Sequence, residues 1–173
     1  MEGSETIQVL EEWRKAYNAG DLDKLGGLHM EGAVLARQGL GAGSHKLEAG
    51  EAAVYDAALH TRWRLEAPEV EGGKVRAVVA ERSDWLEAAG IQEAHYHAEF
   101  EVRDGRIVEA KLEANPETRR RAEEAFREFT VWAARERPER LAQLISGGRF
   151  DLGPKSGSKL LELMREWRAA TQH

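Results

Sequence analysis

The chain has 173 residues, with 25 Lys plus Arg against 31 Asp plus Glu and a formal net charge of −6. That balance excludes the basic stripe that nucleic acid requires and a polybasic membrane anchor. Cysteine is absent, which excludes disulfides, thiolate catalysis and Cys-ligated metals together. No apolar run reaches the length of a membrane span, and the start Met1-Glu2-Gly3-Ser4-Glu5 is polar and acidic. The expectation is a cytoplasmic globular protein with no nucleic-acid or membrane partner.

Residues 5–18 have helical period, with Val9, Leu10, Trp13, Ala16 and Tyr17 on one face and Ser4 placed to cap it. Gly20 suits the left-handed position that ends a helix. Asp21 caps a second helix with the stripe Leu22, Leu25, Leu28, which Gly32 ends. Ala33–Arg37 reads as a short strand. The following Gly39, Gly41, Gly43 and Ser44 lack both the Lys-Ser/Thr of a Walker loop and the GxGxxG spacing, so they read as a rim loop. Residues 50–60 predict a third helix, with Ala53, Val54, Ala57 and Ala58 inward.

From residue 62 the period changes to two: Trp63, Leu65 and Ala67 alternate with Arg62, Arg64 and Glu66. Gly72-Gly73 signals a hairpin turn. Residues 74–86 predict a long central strand, 91–103 the next, Asp104-Gly105 a turn, and 106–114 the last strand. A two-residue loop at Asp104-Gly105 pairs Phe100 with Glu109 and mixes the faces. A three-residue loop pairs Phe100 with Val108, Ala98 with Ala110 and Tyr96 with Leu112, and gives one clean apolar face. Helices followed by a curved antiparallel meander make an α+β domain over 1–115. The sheet is expected to wrap the N-terminal helices as a cone.

Residues 9–36, centred on Asn18-Ala19-Gly20-Asp21-Leu22-Asp23, resemble the opening of nuclear-transport-factor-2-like domains. Within that superfamily the closest branch is that of ketosteroid isomerases and SnoaL-type polyketide cyclases. Asp104-Gly105-Arg106-Ile107-Val108 is similar to the last hairpin of the same family, so the resemblance covers about residues 5–115. It implies a ligand cavity and, commonly, a homodimer through the outer face of the sheet. At the positions matching the isomerase's tyrosine, its proton-shuttling aspartate and its second acid, this sequence has Trp13, Arg37 and Ala98. The isomerase chemistry is therefore not expected. The expected pocket lining is Trp13, Tyr17, Leu28, Tyr55, Trp63, Tyr96 and Ala98, with Arg37 near the mouth. Such a pocket suits a hydrophobic small molecule, neutral or anionic. The alternative is an enzyme of the cyclase, dehydratase or epoxide hydrolase type with Tyr17, Tyr96 and Arg37 as donors and water as nucleophile.

His95-x-His97-x-Glu99 puts three potential metal ligands on one strand face, and Glu109 or Glu113 could add a carboxylate. The competing reading is a charged ladder, His97 near Lys111 and His95 near Glu113. The ladder is adopted, with no bound metal or cofactor expected. His29, His45, His60 and His173 read as surface residues.

Beyond the barrel, 116–173 predict a helical extension. Pro116 marks the boundary, followed by a helix to Glu136 with Ala122, Ala125, Phe126, Phe129 and Trp132 on one face. A short helix follows from Pro138, and a last helix is capped by Ser156 or Ser158 with Leu160, Leu161, Met164 and Trp167 as its stripe. A constant offset matches Leu10 to Phe126, Trp13 to Phe129, Leu25 to Leu141 and Leu28 to Leu144. Either the extension is a truncated second copy of the helical part, or the match is shared periodicity.

Overall fold

The computed structural model describes residues 2–40, 45–146, 149–150 and 155–172. Helix α1 (Glu2–Ala19) starts before Ser4, which lies inside the helix and is not its cap. Gly20 takes φ 67° behind it. Asp21 then caps α2 (Leu22–Leu28) by accepting a bond from the Lys24 amide. Strand β1 (His29–Gln38) follows directly. Gly32, at φ 73°, sits where the register of β1 breaks between His29 and Val34, so it serves a strand irregularity and does not end the helix. Positions 41–44 of the glycine-rich stretch lie outside the described residues.

Strand β2 (His45–Glu48) leads into α3 (Ala49–Ala58), whose buried face is Ala49, Ala52, Ala53, Tyr55 and Asp56. The helix is rotated from the expected phase. Val54 is exposed and Ala57 and Ala58 are only half-buried, because the side toward the sheet must also accommodate Asp56.

Strand β3 (Arg62–Glu71) and β4 (Lys74–Arg82) meet at Gly72-Gly73, both at positive φ, as a two-residue turn requires. The expected strand over 74–86 stops at Arg82. There the Ser83 hydroxyl accepts a bond from the Leu86 amide and starts α4 (Asp84–Ala88). Strands β5 (Ala94–Arg103) and β6 (Arg106–Ala114) complete a six-stranded sheet of order β2-β1-β6-β5-β4-β3. The meander β3–β6 is antiparallel as expected, but β1 runs parallel to β6, so the whole sheet is mixed.

The last hairpin corrects the register. Arg103 pairs with Arg106 across a two-residue turn with Asp104 and Gly105 both at positive φ, and a bulge at Val108 then shifts the pairing. Phe100 faces Ala110, Ala98 faces Leu112 and Tyr96 faces Ala114. The apolar face is the expected one, displaced by two residues. A further irregularity between Glu66 and Glu69 holds Pro68 on the edge strand β3. These breaks let the sheet curve around the helices as an unclosed cone.

The extension consists of α5 (Pro116–Glu136), α6 (Pro138–Ala142), the two-residue strands β7 (Ile145–Ser146) and β8 (Arg149–Phe150), and α7 (Ser156–Thr171). Asn115 caps α5 by accepting from the Thr118 amide, with Pro116 in its first turn. Lys155 holds the cap position of α7, and neither Ser156 nor Ser158 is its N-cap. β7 begins at the position that the offset equates with the start of β1, though the long helices find different partners, α1 on β3 and α5 on α7. Among the described residues no helix is long and apolar enough to cross a membrane.

Candidate functional site

The inner face of the sheet and α1 meet in a packed aromatic cluster. Trp13 lies 4.9 Å from Tyr17, 5.4 Å from Phe100 and 6.2 Å from Trp63 between ring centroids, and Trp63 lies 6.1 Å from Tyr96. These rings fill the space expected to be an open pocket. Close packing of this kind gains dispersion and burial energy that an empty cone would forgo.

A cavity of about 60 Å³ lies beside the cluster, at the end of the cone. Its walls are apolar: Leu35, Leu40 and Leu47 from the β1–β2 side, Tyr55 and Leu59 from α3 and just beyond it, and Trp85 from α4. Phe126 and Leu160 come from the extension. Ala52 of α3 adds a small apolar patch, and the remaining lining is polar, with Arg37, Asp56, Glu81 and Ser83. Of the eight expected pocket residues, Arg37 and Tyr55 line this cavity. Leu28 packs partly buried against the core, and Ala98 is buried on the inner face of β5.

The polar side chains form two neighbouring hydrogen-bonded sets drawn from five elements, one around Asp56 and one around Glu81. Arg37 of β1 donates from both terminal nitrogens to Asp56 of α3, at 2.9 Å to Oδ1 and through a shorter contact to Oδ2. The Tyr17 hydroxyl of α1 donates to Asp56 Oδ2 at 2.6 Å, and the Thr61 hydroxyl lies at 3.5 Å from Oδ1. The Tyr96 hydroxyl of β5 donates to Glu81 Oε2 of β4 at 2.7 Å. Arg37 also lies over the Trp63 ring, 4.9 Å from its centroid. Arg37 Nε and Trp63 Nε1 are buried without a hydrogen-bond partner among the described residues.

Asp56 and Glu81 are 1% and 3% exposed. Burial pushes the Glu81 carboxyl above the ordinary value of 4.5, and the Asp56 charge adds to this, while Arg37, Tyr96 and Ser83 pull it down. Burial and the neighbouring carboxylates push both tyrosines, Tyr17 and Tyr96, well above their ordinary range. Burial opposes the charge on Arg37, but Asp56 and Glu81 outweigh it and hold the guanidinium firmly protonated. The arrangement can hold an oxygen, accept or deliver a proton at Glu81, and orient a water.

Asp56 and Glu81 were not expected as site residues. Glu81 continues the two-residue spacing of Val75, Ala77 and Val79, all on the inner side of β4, and Asp56 continues the buried Ala49, Ala52 and Ala53 face of α3. Those spacings are the signal.

The His95, His97 and Glu99 face is the outer one. His97 pairs with Glu113, Glu99 pairs with Lys111, and His95 lies 3.2 Å from Glu93, so the ladder has different rungs from those expected. The described residues hold no group of three or more His, Asp or Glu placed to bind a metal ion. His29 is not a surface residue. It is half-buried and accepts a bond from Trp13 Nε1 at 3.1 Å, and burial lowers its pKa.

No protein-family model matches the chain, and no curated protein sequence matches it. Solved structures do match. An LEH-like epoxide hydrolase of M. tuberculosis is 15% identical with a TM-score of 0.55, over 75% of this chain and 96% of its own. IdmH of Streptomyces antibioticus, a candidate polyketide cyclase, is 21% identical with a TM-score of 0.52, over 68% and 96%. An NTF2-like protein of unknown function from Cytophaga hutchinsonii is 11% identical with a TM-score of 0.52, over 65% and 91%. With the curved six-stranded sheet wrapped on α1–α3, the chain has the nuclear-transport-factor-2-like fold.

Proposed function

We propose that this chain is a small-molecule-binding domain whose ligand enters the cavity between the β1–β2 side, α3 and α4 and meets Arg37, Asp56 and Glu81. The observation that carries this reading is a cavity with apolar walls and a buried ionisable floor. Charge balance supports an uncharged hydrophobic ligand over an anionic one. Arg37 is the only cation among the described lining residues, and it is already paired with Asp56 beside a second carboxyl.

A second reading, an acid–base enzyme of the hydrolase or cyclase type, is favoured by Glu81. A carboxyl raised by burial and held by Tyr96 and Ser83 is poised for proton transfer nearer neutral pH. It would protonate a leaving oxygen while Tyr17, Asp56 and Arg37 hold a water. The absence of a phenol or carboxyl at Trp13, Arg37 and Ala98 supports a chemistry other than steroid isomerisation. The proposal extends to a homodimer through the outer face of the sheet.

The test is a thermal-shift screen of uncharged apolar compounds of a few heavy atoms, with mass spectrometry of every hit, on wild type and Glu81→Gln. Stabilisation with the compound unchanged is expected for a binding domain. Conversion by wild type that Glu81→Gln loses is expected for the enzyme. If no compound stabilises the chain, or hits stabilise it without protecting the resonances of Leu35, Leu47 and Leu59, the cavity is not the site.

A further inference from the structure

Part of the cavity wall comes from residues that do not belong to the cone. Phe126 of α5 and Leu160 of α7 complete its wall opposite Leu35, Leu47 and Leu59. Both helices are fastened to the elements that carry the rest of the lining. At the start of α7, Gly157 lies so close to α3 that a Cβ there would stand 3.3 Å from the Tyr55 ring, a lining residue. Leu160 is one turn further on and shares that face.

At the other end of α7, Arg168 Nε donates to the Ala88 carbonyl at 2.7 Å, and its guanidinium occupies the space over Gly90. Arg121 of α5 donates to the Gly90 carbonyl at 3.0 Å. Together they satisfy carbonyls at the C-terminal end of α4, the helix that bears Trp85. Phe126 is wedged between Trp85 at 6.5 Å and Phe150 at 4.6 Å. The added wall is therefore fixed at both ends and by ring contacts. It leaves about 60 Å³, well below the ~300 Å³ of pockets that take drug-sized ligands, so the molecule admitted is one of a few heavy atoms.

Resting on the reading of this cavity as the binding site, we propose that Leu160 and Phe126 of the C-terminal extension are its specificity-determining residues, setting an upper limit on the size of the molecule admitted. The cone supplies the polar floor; the extension supplies the size limit. Substitution at these two positions changes which molecules fit and leaves the floor of Arg37, Asp56 and Glu81 in place.

Methyl resonances of Leu35, Leu47 and Leu59 in the full chain report occupancy, with methanol and benzyl alcohol as probes. In wild type, methanol is expected to shift them and benzyl alcohol is not. In Leu160→Ala, benzyl alcohol is expected to shift them with a Kd at least about tenfold below wild type. Leu160→Val and Phe126→Leu, milder truncations, should move the same way should the alanine variant fail to fold. Leu163→Ala, a buried residue of the same helix that does not line the cavity, should leave those resonances unmoved by benzyl alcohol. Equal binding of benzyl alcohol to wild type and variants overturns the proposal, as does its exclusion from variants that still admit methanol. If neither alcohol moves a lining methyl in any of the proteins, the binding-site reading fails and the size limit falls with it.

Discussion

A carboxyl group 3% exposed has one inexpensive state, the neutral one, unless a cation lies against it. Asp56 has that cation in Arg37, while Glu81 has a tyrosine and a serine. The raised Glu81 pKa has a thermodynamic consequence of definite sign. Above pH 4.5 the unfolded chain gives up this proton while the folded chain retains it. The group's stabilisation is therefore fully present below that value and is lost as pH rises through the raised folded value. Relative to Glu81→Gln, which cannot ionise, wild type is expected to lose stability across that window. Urea midpoints measured at closely spaced pH values on both proteins check this, and parallel curves would rule out a titrating Glu81.

At the scale of elements, the chain ties distant pieces together with single polar side chains. Asn18, in the last turn of α1, donates from Nδ2 to the Trp63 carbonyl at 2.8 Å and accepts from the Trp63 amide at 2.7 Å. It thereby acts as a strand partner for β3, the edge strand, at the residue whose indole underlies Arg37. Asn18→Ala leaves two backbone groups of a residue 2% exposed without partners. The expected cost is about 1–3 kcal/mol, read from chemical denaturation; an unchanged midpoint would show that water replaces the amide without loss.

Periodicity carried the helices and the strand faces, because each depends on residues a few positions apart. It did not carry the bulge at Val108 or the phase of α3. Two-residue alternation is blind to an inserted residue, and Asp56 looks like a solvent position until Arg37 and Tyr17 are brought to it from 19 and 39 residues away. Trp13, Tyr17, Trp63 and Tyr96 were legible as an inward cluster. That they would fill the cone instead of lining it depends on how far the sheet curves, a property no local pattern encodes.

For the molecule as a whole, the extension and the outer face of the sheet divide the surface. The extension packs on α3, α4 and the end of β6, while His97, Lys111 and Glu113 on the outer side of β5 and β6 stay exposed. That side forms an open groove of about 560 Å³ whose lining carries both signs, Arg76 and Lys111 with Glu69, Glu99 and Glu113. Lys74 bonds Glu99 at 2.7 Å and Lys111 bonds Glu109 at 3.0 Å, so the charges alternate along the face. A two-fold pair sets such a patch against its own copy, which requires each sign to find the other. Lys111 is the cation bonded to Glu109 and paired across the strands with Glu99, and Lys111→Glu would strip Glu109 of its partner and set like charges side by side on this face. Light scattering at tens of micromolar is expected to give a dimer mass for wild type and a monomer mass for Lys111→Glu, with the wild-type dimer weakening as salt is added. A wild-type monomer at that concentration would remove the outer face as a self-association surface, and a dimer untouched by Lys111→Glu would move the contact elsewhere.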